Sequence, residues 1–270
     1  MTFPPDYRIP ILGPEEYSRG YRVIPFDPSD PRAADPLVQL DAVGISNQSY
    51  HARTDGDNPP YHRPVPGSQS TMWLRRTLAI KLTHVNRRLR PHGHEIHVLD
   101  GYRPIACQRG LWDFYYEQAR RVTGSQDHRT LKAHAEQFAA DPSDFSKDAP
   151  ETWPSHTTGG AIDVTLRHLA TGQLADMGSC YEEITETSHC DHFERQLDAG
   201  AVTERDHRLI NRRLMHWAMH AEGIYNHPFV FWHHDWGNQL YVRTCMDRFT
   251  DPPRAAWYGY IEPPLDQGTA

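Results

Sequence analysis

No apolar run in the 270-residue chain approaches the roughly 18 residues that a membrane-spanning helix needs, so no membrane partner is expected. A basic run is missing as well. Asp and Glu number 35 against 28 Lys and Arg, a formal net charge of −7, which gives no electrostatic footing for nucleic acid. Cysteine is scarce: Cys107, Cys180, Cys190 and Cys245 are widely spaced and form no CxxC pair. They read as free thiols in a reducing compartment rather than a disulfide framework. The opening "MTFPPDYRIPILGPEEY" lacks a basic stretch followed by a long apolar core, so no secretory leader is expected and the chain is read as cytoplasmic. Residues 1–68 show little periodicity, and "DGDNPPYHRPVPGS" (Asp55–Ser68) reads as an irregular loop. They are expected to form a Pro-rich arm, with one or two short strands near Leu37–Val43, packed on a domain spanning 69–270. Asp55–Ser68 is expected to cover the site. The 38% hydrophobic content suffices for one large domain or two small ones.

Periodicity begins near Ser70. Leu74, Leu78, Leu82, Val85 and Leu89 recur at three- and four-residue spacing, which predicts an amphipathic helix ending near Pro91–Gly93. "HEIHVLDGYRP" alternates and reads as a strand running into a turn at Asp100–Gly101. Helices are expected over Ile105–Val122 and His128–Ala140, and a strand over "AIDVTL" (Ala161–Leu166). Thr203-x-x-Asp206 resembles a capping box before a helix through Leu209, Ile210, Leu214, Trp217 and Ala218, closed by Gly223. Two β-like runs, "FVFWHH" and "QLYVR", follow. Helices and strands mixed in this order imply an α+β fold rather than regular βαβ repeats.

Three motifs are candidates for chemistry. In "SHTTGGAIDVTL", His156 and Asp163 stand seven positions apart across a Gly159–Gly160 turn, a layout that brings an imidazole and a carboxylate to one point. A surface His and a hydrogen-bonded strand Asp would give the same letters. His233 supplies a possible third ligand, and a core histidine packed among aromatics is the plainer reading of it alone. Two His and one Asp suit zinc hydrolysis and equally a non-haem iron(II) site. "DGYRP" places Arg103 after a tight turn, where it would clamp a carboxylate, stabilise an oxyanion, or simply pair with a neighbouring Asp.

Together and in this order the motifs resemble the D-alanyl-D-alanine dipeptidases, zinc peptidases linked to vancomycin resistance and peptidoglycan dipeptide turnover. "DMGSCYEEITETSH" (Asp176–His189), "INRRLMHWAMHAEGIYNHP" (Ile210–Pro228) and "AAWYGYI" (Ala255–Ile261) extend the resemblance over roughly residues 70 to 261. It implies a small central antiparallel sheet bearing the metal ligands, flanked by helices. It implies zinc on His156, Asp163 and His233, with Arg103 stabilising the transition state. It also implies a dipeptide-like small-molecule substrate, with Glu182, Tyr102 and Trp232 as substrate-binding candidates. The family's general base is the Glu of a Glu-x-x-His motif. Aligned without a gap on Asn226, Pro228, Trp232 and His233, that place holds Val230, which can neither take nor return a proton. Pro154 likewise stands where the family often has Ser.

This departure leaves three readings. The chain is a metal-dependent hydrolase of a small dipeptide or related amide, its base relocated to His234, Asp235, Glu182 or Glu183. It is a non-hydrolytic metalloenzyme, such as an iron(II) oxidative enzyme lined by Phe229, Phe231, Trp232 and Trp236. Or it is a catalytically silent binding protein. Nothing in the sequence speaks to its oligomeric state.

Overall fold

The run Ala161–His168 carries Ile162, Val164 and Leu166 on one face and Asp163 and Thr165 on the other. Its first six residues are all buried, as a strand with neighbours on both sides requires. In the computed structural model, which describes residues 2–12 and 20–262, this strand (β5) is the middle of a five-stranded sheet. In chain order, the short strands β1 (Leu37–Gln39), β2 (Ser46–Asn47) and β3 (Trp73–Arg75) precede β4 (His94–Asp100). After β5 come β6 (Tyr225–Asn226) and β7 (His233–Asp235). The large sheet has the order β2-β4-β5-β7-β6, while β1 and β3 pair separately. Four of its five strands are antiparallel, as expected. β2, contributed by the N-terminal arm, adds a parallel edge to β4 that the sequence did not reveal.

Helix α1 (Arg76–Leu89) buries Leu78, Ala79, Leu82, Val85 and Leu89 against β4 and against α5 (His207–His220). α2 (Ile105–Thr123) packs on α3 (His128–Ala135); α4 (His192–Asp198) and α6 (Gln239–Arg248) complete the set of described α-helices.

Several boundaries differ from expectation for tertiary reasons. Leu74 has the right spacing for α1 but lies in β3, paired with Val38. The following Arg75 is buried and donates to Asp35 O (2.6 Å), Thr158 O (2.7 Å) and Gly259 O (3.0 Å), which holds the chain extended until Arg76. α3 stops at Ala135 rather than Ala140. The cap of α5 is Asp206, whose carboxylate accepts from Arg208 N; Thr203 lies outside the helix. The two β-like runs fare worst. In "FVFWHH" only His233 and His234 enter a strand, and the preceding residues form turns. "QLYVR" is the start of α6. Asn238 caps it by accepting from Tyr241 N at 2.8 Å, and Leu240 with Thr244, and Val242 with Cys245, bury at helical spacing. Five residues with alternating apolar character cannot separate a strand from one buried helix face.

Candidate metal centre

His156 sits in a single helical turn, Ser155–Thr158, that must reverse directly into β5. Gly159 makes the reversal in the left-handed region, φ +69°, where a Cβ would meet Leu37 Cδ2 at 2.6 Å. A Cβ on Gly160 would meet Trp236 O at 2.6 Å, so the two glycines let β5 and the residues after β7 close against each other. Asp163 on β5 and His233 on β7 are direct cross-strand partners, and Asp100 on β4 lies opposite Asp163 on the other side. The sheet register therefore carries three polar side chains to one place, with His156 brought over them.

One ligand atom each from His156, Asp163 and His233 lies within 4.8 Å of the others. His156 Nε2 is 3.2 Å from His233 Nδ1 and 3.5 Å from Asp163 Oδ2; His233 Nδ1 is 2.9 Å from Asp163 Oδ1. Each imidazole's other nitrogen faces an oxygen behind the site, His156 in a hydrogen bond and His233 in an ion-pair contact without hydrogen-bond geometry. His156 Nδ1 donates to Gly101 O at 2.8 Å, and His233 Nε2 lies 3.1 Å from Asp235 Oδ2. Asp235 is held in turn by Asn238 Nδ2 at 2.6 Å, and Asp163 Oδ2 accepts from Tyr181 OH at 2.7 Å. Anchoring the far nitrogen fixes tautomer and ring orientation and turns a lone pair inward, as metal-binding histidines require. Two imidazole nitrogens and a carboxylate thus fit one divalent ion with coordination positions left over.

Electrostatics follow the same pattern. Burial would raise the Asp163 carboxyl, but His156 and His233 outweigh it and hold it well below the usual range. Burial would lower His233, but Asp235 and Asp163 push it up to about 10: the surrounding carboxylates favour positive charge at this place. Arg103 stands at the rim of this cluster. Its Nε donates to Asp100 Oδ2 at 2.8 Å and its Nη1 to Gln108 Oε1 at 2.9 Å, while Nη2 is 3.8 Å from Asp163 Oδ2. The pairing with a neighbouring Asp and the place beside the metal cluster both hold. Asp100 outweighs burial and keeps the guanidinium charged.

These residues open onto a cavity of about 1010 Å³. Arg103, His156, Asp163, Glu182, Val230, Trp232 and His233 all line it. Tyr102 does not; its hydroxyl donates to Ile261 O at 3.0 Å. Among the four groups considered as a replacement base, Glu182 alone is on the cavity wall. His234 is buried with Nδ1 toward Trp232 O (3.0 Å), Asp235 is behind His233, and Glu183 accepts from Cys180 N. Glu182 has φ +66° and accepts from Tyr115 OH at 2.9 Å, with His51 Nε2 at 3.3 Å. Phe229 also lines the cavity. Phe231 instead packs under the Arg212 guanidinium, and Trp236 against Trp257 and Tyr258.

Sequence reasoning missed Tyr181, Asp100 and His51. Asp100 was visible inside "DGYRP"; nothing local marks Tyr181, and His51 arrives from the arm.

The family model of D-ala-D-ala dipeptidases, Peptidase_M15, matches residues 67–251. The chain belongs to this family. A D-alanyl-D-alanine dipeptidase from Synechocystis is 28% identical over 84% of the chain and 92% of its own length. One from Enterococcus faecalis is 25% identical over 68% of the chain and 84% of its own length. A solved mutant of the vancomycin-resistance D,D-pentapeptidase VanY in complex with Zn(II) is 15% identical, covering 67% of this chain and 82% of that one. Its TM-score is 0.34. Membership places the chain in a family of metallopeptidase-type hydrolases, and the His-Asp-His group falls inside the matched segment.

Proposed function

We propose that the chain is a metal-dependent hydrolase of small D-amino-acid dipeptides or related amides, holding one zinc ion on His156 Nε2, the Asp163 carboxylate and His233 Nδ1. The observation that carries the reading is the convergence of these three donors, with His156 hydrogen-bonded from behind and His233 backed by the Asp235 carboxylate. When bound, the ion supplies Lewis acidity toward the scissile carbonyl. Arg103, held as a buried cation beside Asp163, meets the substrate carboxylate or the oxygen on which negative charge develops. Glu182 offers its carboxylate to the substrate ammonium, and Trp232 forms an apolar wall.

Proton transfer is the weak step. Val230 lines the cavity at the family's Glu position and has no titratable group. Loss of such a general base typically costs about 10² to 10⁴ in rate. Glu182 is the nearest substitute by position, but its oxygens are engaged by Tyr115 and His51. That engagement, with Val230 unable to move a proton, is what favours a silent binding protein.

The test compares zinc-loaded native protein and Val230→Glu on D-alanyl-D-alanine, with His156→Ala as the blank. The native protein is expected to be very slow and Val230→Glu faster by about 10² or more. Brisk native turnover would defeat the claim of a missing base and direct attention to Glu182→Gln. Absence of turnover from both zinc-loaded proteins would favour the binding reading. Iron rather than zinc in protein purified without added metal would overturn the choice of metal.

A further inference from the structure

Cavities of about 300–1,000 Å³ enclose drug-sized ligands. The metal cavity, at about 1010 Å³, leaves most of its volume empty around a dipeptide with two methyl side chains. The surroundings of its two charged anchors are unlike. Arg103 has polar neighbours: Asp100 accepts from its Nε and Gln108 from its Nη1, and Gln108 Nε2 donates onward to Ala140 O at 2.9 Å.

Glu182 stands among rings and aliphatic groups instead. Tyr115 OH donates to Glu182 Oε2 at 2.9 Å, and the Tyr115 ring stacks on Phe138 with centroids 5.0 Å apart and planes 10° from parallel. Tyr61, from the arm, places its hydroxyl 3.0 Å from that of Tyr115. Leu111 lies one turn before Tyr115 on α2, and Ile184 follows Glu182 by two residues. All of these line the cavity. Phe138 and Ile184 are only partly buried, so each keeps apolar surface for a ligand to cover. Val230, partly buried as well, adds an apolar group to the lining where the family has a carboxylate.

In a dipeptide the ammonium and the first side chain stand on the same Cα. An ammonium held at Glu182 therefore sets the first side chain against the apolar surface around that residue, and a methyl covers little of it. A longer peptide would also fill the volume, but its blocked nitrogen would bring no charge to Glu182. We propose that the preferred substrate is a dipeptide whose amino-terminal residue carries a large apolar side chain, packed against Phe138 and Ile184 while its free ammonium meets Glu182. The proposal rests on the hydrolase reading above and names the substrate class of that same site.

Four peptides test it on the zinc-loaded full chain: D-alanyl-D-alanine, D-leucyl-D-alanine, D-alanyl-D-leucine and N-acetyl-D-leucyl-D-alanine. Preference is read calorimetrically as Kd or, for any peptide that is turned over, as kcat/KM. D-Leucyl-D-alanine is expected to be favoured over D-alanyl-D-alanine by about tenfold or more. Acetylation is expected to weaken it by about tenfold. Phe138→Ala and Ile184→Ala are each expected to lower the leucyl-to-alanyl preference by about threefold or more. The proposal is overturned, with the hydrolase reading intact, if D-alanyl-D-alanine does as well as D-leucyl-D-alanine, or if D-alanyl-D-leucine gains as much. An unchanged preference in both variants equally overturns it. An acetylated peptide as good as the free one would overturn it by removing Glu182 as the ammonium partner. If none of the four binds or is turned over, the hydrolase reading falls and the proposal with it. The comparison on wild type decides the matter even if a variant fails to fold.

Discussion

His233 and His234 are adjacent histidines with opposite fates, and the strand pleat explains it. On β7 successive side chains point to opposite faces. His233 reaches the Asp163 side; His234 turns into the core, where burial lowers it to about 4 and keeps it neutral. His156→Ala is therefore expected to lose most bound metal in elemental analysis, while His234→Ala keeps close to one ion per chain. Retention of a full ion by His156→Ala would remove it from the ligand set. Arg103 is equally particular. Its planar fork spans Asp100 and Gln108 while lying beside Asp163, and a lysine ammonium cannot reproduce that. In the Val230→Glu background, where turnover is expected to be readable, Arg103→Lys should lower kcat/KM on the order of 10². An unchanged kcat/KM would place Arg103 in a purely structural role.

At the scale of elements, the metal centre and α6 share a part. Asn238 caps α6 through Oδ1 and holds Asp235 through Nδ2, and Asp235 backs His233. Asn238→Ala is expected to cost about 1 kcal/mol in thermal or chemical unfolding. It should also weaken metal binding by roughly 10- to 100-fold, as loss of an outer-shell partner does. A stability loss with metal affinity untouched would show that Asp235 keeps its orientation without Asn238. The reversal at Gly159–Gly160 is the other critical element, because it sets His156 over the β5–β7 register.

Over the whole molecule, the N-terminal arm completes the centre from a distance. β2 extends the sheet, Tyr61 lines the metal cavity, and His51 lies between Asp100 (3.7 Å) and Glu182 (3.3 Å). Burial would lower the His51 pKa, but Asp100, with Glu182, raises it to about 9 from an ordinary 6.5. A folded-state pKa above the unfolded one stabilises fully below the unfolded value and is lost as pH rises through the folded value. His51 should thus contribute stability that is complete below about 6.5 and fades toward about 9. His51→Gln should melt lower than wild type at pH 6, and the gap should narrow by pH 9. A gap independent of pH would mean that His51 acts by packing alone.

Read alone, the sequence determined the mixed α+β class and the centres of α1, α2, α5, β4 and β5. It also singled out His156, Asp163, His233 and Arg103 as candidates for one site. These are local quantities: period, caps, glycine turns, and the order of motifs that resembled one family. Only the tertiary structure decided that Leu74 leaves its helical period for β3, that "QLYVR" coils into α6, that Tyr181 reaches Asp163, and that His51 reaches Asp100 and Glu182. Those outcomes depend on what a buried Arg75, a capping Asn238 or a distant arm finds to pair with. The spacing of residues along the chain holds no record of such partners, because the low-polarity interior that forces each buried polar group to find one exists only after folding.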